Sequence, residues 1–416
     1  PVTVFLDASG NASIVVADVD NGTSDNCGVP TLTLSNSTFT CANVGANTVQ
    51  LIATDVNGNI DSAAATVTVS DTVRPIVITQ PVTVFLDGSG NASIVVADVD
   101  NGTSDNCGVP TLSLSNSTFT CANVGANNVQ LIATDVNGNI DSAVAVVTVN
   151  DTTSPTAVAQ NITVYLDGTG NVSILSADVD NGSADNCGIP TLTLNTSAFT
   201  CANVGPNNVT LTATDGSSNT STATAVVTVS DTLRPIVVTQ PVTVFLDGSG
   251  NASIVVADVD NGTSDNCGVP TLSLSNSTFT CANVGANNVQ LIATDVNGNI
   301  DSAVAVVTVN DTTSPTAVAQ NITVYLDGTG NVSILSADVD NGSADNCGIP
   351  TLTLNTSAFT CANVGPNNIT LTATDGSSNT STAAAVVTVS DTLRPVVITQ
   401  PVTVFLDGSG NASIVV

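Results

Sequence analysis

Apolar and polar positions alternate along this chain with a period of two. In the opening VTVFL stretch Val2, Val4 and Leu6 fall on one face and Thr3 and Phe5 on the other. This is the spacing of a strand with one buried and one wet side, and Tyr165 and Tyr325 at the Phe5 position suit the wet side. The runs ASIVVADV, PTLTLS, NTVQLIATDV and SAAATVTVS follow, rich in Val, Ile and Thr, and read as further strands. Between them stand DASGN, DNGTSDNCG and VNGN, turn sequences because Gly and Asn accept positive φ and Asp bonds to its own backbone. No run of ten residues carries a helical period. The pattern predicts an all-β protein, a tandem array of small immunoglobulin-like antiparallel β-sandwich modules, each with six to eight short strands.

The pattern recurs at a fixed interval: PVTVFLD at 1 returns at 81, 241 and 401, and NITVYLD stands at 161 and 321. Residues 81–160 are identical to 241–320, so the array was copied in pairs. The joints SDTVRP (70–75) and NDTTSP (150–155) interrupt the strand pattern with Asp, Thr and Pro and contain no glycine-rich tether. Cutting there predicts an N-terminally incomplete module at 1–70, complete modules at 71–150, 151–230, 231–310 and 311–390, and the start of another at 391–416. Short joints between such modules predict an elongated rod. The absence of Met and of a signal-peptide pattern leads us to expect an internal piece of a longer polypeptide.

Composition narrows the function. All 34 acidic residues are Asp, against three Arg and no Lys, Glu, His, Met or Trp, for a net charge of -31. Phosphate contacts need Lys and Arg, so nucleic acid is not an expected partner. No basic amphipathic segment fits a membrane surface, and apolar runs such as AVAVV at 143–147 are too short to span one. Without His or Lys most general bases are missing, and no enzyme is expected.

A module this small, with few aromatics, has a marginal core, so cross-links or ions are expected to help. Each full module carries two cysteines with thirteen residues between them: Cys27/Cys41, Cys107/Cys121, Cys187/Cys201, Cys267/Cys281 and Cys347/Cys361. Free thiols and bridges between modules are both open. We favour a disulfide within each module, which implies an oxidising, extracellular location. The stretch ADVDNGTSDNCG gathers carboxylates as hard oxygen donors for Ca2+: Asp18, Asp20 and Asp25, then Asp98, Asp100 and Asp105, Asp178, Asp180 and Asp185, Asp258, Asp260 and Asp265, and Asp338, Asp340 and Asp345. A solvated turn is the plain alternative. A second candidate is the TDVNGN turn with Asp55, Asn57, Asn59 and Asp61, reaching Asp71 at the joint; Ser221 and Ser381 replace the Asp61 carboxylate in two copies.

The segments SDNCG, TFTCANVGANTVQLIATDVNGN and the joints DTVRP and DTTSP resemble the hyalin-type, immunoglobulin-like repeats of giant Bacteroidetes surface proteins, such as the SprB-like adhesins of gliding flavobacteria. The resemblance covers the whole chain. It implies a β-sandwich array at the cell surface, exported by the type IX pathway and serving as the stalk or filament of an adhesin. The alternative function is multivalent binding of polysaccharide or other cells by the modules themselves. Expected partners are other modules of the chain, identical chains in a fibre, and such surfaces. Hyalin-type repeats often carry a Cys shortly after the joint, where this chain has Gln80 before Pro81, so their disulfide pattern is not carried over. The resemblance also implies O-linked sugars on Asp-Ser and Asp-Thr motifs, at Ser62, Thr72, Ser142, Thr152, Thr232, Ser302, Thr312 and Thr392.

Overall fold

The computed structural model describes residues 1–415. They form two compact units, residues 1–164 with 172–230, and residues 165–171 with Asp231 onward. Five β-sandwich modules, one for each full repeat, are distributed over them, three in the first unit and two in the second.

The first module contains β1 (Val2–Phe5), β2 (Asn11–Ser13), the one-turn helix α1 (Val16–Val19), β3 (Thr31–Leu34), β4 (Thr38–Thr40), β5 (Gly45–Thr54) and β6 (Ile60–Ser70). The second repeats the series as β7 (Val82–Phe85), β8 (Asn91–Ser93), α2 (Val96–Val99), β9 (Thr111–Leu114), β10 (Thr118–Thr120), β11 (Gly125–Thr134) and β12 (Ile140–Asn150). One sheet has the order β7-β12-β11-β9. β11 runs antiparallel to β12 and β9, pairing Val129 with Ala145 and Leu131 with Leu114. β7 lies parallel to β12, Val82 opposite Val147, so one edge of the sandwich is parallel. The short ribbon of β8 and β10 sets Ala92 opposite Phe119.

The alternation read from the sequence decides the faces. Val129 and Leu131 of β11 and Ala145, Val147 and Val149 of β12 turn inward to meet Leu86, Ile94, Val99 and Phe119, while Phe85 stays outside. Phe119 is 1% exposed and is the only aromatic among the described residues of this core.

One expectation changes. ASIVVADV is not one strand: β2 stops at Ser13, and the Val15 amide then donates to the Asp18 carboxylate at 2.7 Å, which turns the chain into α1. Further on, Ile76 bridges to Ser104 and Thr79 to Asp100.

In the β5–β6 and β11–β12 hairpins the turn places Gly58 and Gly138 at positive φ, 85° and 90°. The third and fifth modules put Ser218 and Ser378 there, at φ 70° and 71°. A side chain in this region costs about 1 kcal/mol because Cβ crowds the backbone. Ser218→Gly is therefore expected to stabilise the third module by roughly 0.5–1 kcal/mol, readable as a later thermal transition of that module.

Candidate functional site at the module joint

The disulfides cross the joints. Cys41 bonds to Cys107, Cys121 to Cys187 and Cys281 to Cys347, each at a sequence separation of 66 and a Cα–Cα distance of 5.2 Å. Cys201 and Cys267 are disulfide-bonded as well, while Cys27 and Cys361 are free and exposed. This overturns the pairing expected within a module. The physical reason is placement: Cys121 follows β10 at the end of the module that meets the next copy, and Cys107 sits at the end that meets the preceding one.

The joint is built from three parts. The preceding module supplies the β1–β2 turn, in which Asp7 Oδ1 accepts from the Ser9 and Asn11 amides, and the 3-10 turn Cys41–Asn43. The linker supplies Asp71, whose Oδ1 accepts from the Val73 amide at 3.1 Å. The following module supplies Asp105, Asn106 and Cys107. The side-chain amide of Asn106 donates to the Asp7 carbonyl and to Asp71 Oδ1, both at 3.2 Å, tying all three parts together. Gly10 admits the close approach: at φ 74°, a Cβ there would stand 2.6 Å from Cys41 Sγ and 2.9 Å from the Asn106 carbonyl oxygen.

The acidic trio of ADVDNGTSDNCG divides its work. Asp18, Asp98, Asp178, Asp258 and Asp338 each accept the amide three residues before them and shape the helical turn. Asp20, Asp100, Asp180, Asp260 and Asp340 accept the amide three residues after them. The Thr23 hydroxyl and amide hold the Asp20 carboxyl below its ordinary range, and the Ser183 hydroxyl and amide do the same for Asp180. Asp25, Asp105, Asp185, Asp265 and Asp345 each accept the amide of the cysteine two positions on.

Only the last set enters a carboxylate cluster. Among the described residues, Asp71, Asp105 and Asp135 offer oxygens within 4.8 Å of one another, as do Asp231, Asp265 and Asp295; in the Asp151–Asp185 and Asp311–Asp345 pairs the third member is Cys187 or Cys347. Asp135 is the copy of Asp55, so the TDVNGN turn does meet a joint aspartate, but the one that precedes its module. Asp141, the copy of Asp61, stays exposed and accepts from the Ser142 amide. Asn139 braces the corner, its side-chain amide donating to the Asp71 carbonyl and Asp135 Oδ2 at 3.2 and 2.8 Å. Sequence reading missed the Asp71–Asp105–Asp135 grouping because each member lies in a different turn. Ser62, Thr72, Ser142, Thr152, Thr232, Ser302, Thr312 and Thr392 are all exposed.

No family model matches the chain, and no curated protein does. Solved structures similar in fold include five extracellular cadherin domains of protocadherin gamma B2, at 11% identity and TM-score 0.29 over 95% of this chain and 100% of that one. Immunoglobulin domains 1–5 of Sidekick-1 align at 13% identity and TM-score 0.26, covering 86% of this chain and 89% of theirs. Drosophila N-cadherin EC1-4 aligns at 10% identity and TM-score 0.25, covering 74% and 100%.

Proposed function

We propose that this chain is the stalk of a large extracellular adhesin of the hyalin-type repeat class, a non-enzymatic spacer that bears load between a cell surface and an adhesive end. One observation carries this reading: the disulfides short-circuit the polypeptide. From Cys41 the covalent path passes directly to Cys107, and from Cys121 directly to Cys187, each step bypassing a sequence separation of 66. Between Cys107 and Cys121 only thirteen residues remain in the path. Tension along it reaches β9 and β10, while the long β11–β12 hairpin hangs outside the load. A pulled module can then lengthen to about 50 Å at most, against about 270 Å for a whole repeat released in full. Inextensible modules in series suit a spacer whose length matters more than any one face, and such cross-links form in an oxidising compartment.

The experiment tethers the full oxidised chain through Cys27 and Cys361 and stretches single molecules. Steps of about 50 Å or less are expected, growing toward about 270 Å after reduction. Full-length steps in the oxidised chain would remove the load path and the stalk reading with it.

The alternative, multivalent binding, has its own observation. Phe5, Phe85, Tyr165, Phe245 and Tyr325 occupy one repeated position and are 59–61% exposed. Repeated weak contacts to polysaccharide would add through multivalency. Retention of the chain on a polysaccharide surface that disappears when these five become Ser would favour it.

A further inference from the structure

We propose that Asp71, Asp105 and Asp135 form a calcium site that locks the linker to the following module, and that Asp231, Asp265 and Asp295 form a second one. Asp71 and Asp135 are only 6% and 7% exposed. Their oxygens and one of Asp105 lie within 4.8 Å of one another, at which distance carboxylates repel strongly in a partly dry setting.

The hydrogen bonds leave specific acceptors over. Asp71 Oδ1 is used by the Val73 amide and Asn106, and Asp105 Oδ2 by the Cys107 amide. Asp71 Oδ2, Asp105 Oδ1 and Asn106 Oδ1 are buried with no hydrogen-bond partner. At the other joint the same holds for Asp231 Oδ2 and Asp265 Oδ1. Such groups are costly to bury unless something positive or proton-donating meets them. The chain has no Lys or His to do so, and Arg74 and Arg234 of the same linkers are exposed. Three carboxylates and an amide oxygen are hard donors, and with water they reach the six to eight oxygens that Ca2+ takes.

The arrangement is two-class. At the Asp151 and Asp311 joints the third group is a disulfide sulfur, Cys187 or Cys347, which has no thiolate to offer a cation. Asp151 Oδ2 and Asp185 Oδ1 are left over there too, so these joints hold calcium more weakly.

The test is calcium binding to the full oxidised chain, by equilibrium dialysis with radioactive Ca2+ and by calorimetry. Asp71→Asn with Asp231→Asn is expected to lower the number of tightly bound ions by two, or to weaken both by about tenfold or more. Asp98→Asn with Asp258→Asn removes carboxylates of the helical turn and is expected to keep the count. Should the joint variant lose its circular dichroism signal, Asp135→Asn with Asp295→Asn serves in its place. An unchanged count in the joint variants, or no binding by the parent chain at millimolar Ca2+, overturns the proposal.

Discussion

Phe119→Ala is expected to make the second module unfold well before its neighbours on heating. The ring is 1% exposed and lies opposite Ala92 in the β8–β10 ribbon, in one core cluster with Ile94, Val129, Leu131 and Val147. Removing a buried aromatic costs about 3–5 kcal/mol through lost transfer energy and the cavity left behind. A domain of this size has about 5–10 kcal/mol in total, and no second aromatic shares the load. The measurement is thermal unfolding combined with limited proteolysis of the full chain: an early transition covering one module's worth of signal, with cleavage confined to residues 81–150, is expected. Phe39→Ala, in the first module, should behave alike, because Phe39 is equally buried. A single undivided transition shifted by less than about 1 kcal/mol would mean that the ribbon contributes little to the core.

Gly90→Ala is expected to prevent closure of the Cys121–Cys187 disulfide. Gly90 stands at φ 76°, and a Cβ there would lie 2.5 Å from Cys121 Sγ and 3.0 Å from the Asn186 carbonyl oxygen. The clash falls on a cross-link and on backbone, neither of which can rotate aside. Loss of a bridge spanning 66 residues costs about 4 kcal/mol by the chain-entropy estimate. Titration of thiols under denaturing conditions should find two more than in the parent chain, and stretching should show one long step. Gly88→Ala, two residues earlier with nothing within 4 Å of its added carbon, is the control expected to leave both readouts alone. A fully oxidised Gly90→Ala chain would show that the joint can open to admit a methyl group.

The disulfides show how a perfect repeat hides its own connectivity. Cys107 is parted from Cys121 by thirteen residues within the period and stands at a separation of 66 from Cys41 across it, and both pairings recur at every copy. Spacing could therefore establish that two cysteines per module exist, and that an even framework is possible, but not which neighbour each one meets. Much the same holds for the acidic residues. The Asp18 and Asp20 positions lie in a stretch that reads as a cluster, yet each is occupied by an amide three residues away. The carboxylates that do converge, Asp71, Asp105 and Asp135, are far apart in sequence and lie in a linker, a loop and a hairpin turn.

What the sequence determined by itself was local and periodic: the tandem repeat, the all-β class, the inward Val and Leu of each strand and the outward Phe5 and Tyr165, and the turns made by Asp, Asn and Gly. These follow from side-chain alternation and backbone preference, which act over a few residues. Tertiary structure decided whatever needs two distant segments to meet. It set the parallel pairing of β7 on β12, the direction in which each cysteine reaches, and the carboxylates that share a corner. The parallel edge gives the clearest case, since β7 takes its ladder from β12 far downstream, with Val82 opposite Val147. Strand hydrogen bonds are made between segments, not within them, and that is the physical reason the remainder could not be read along the chain.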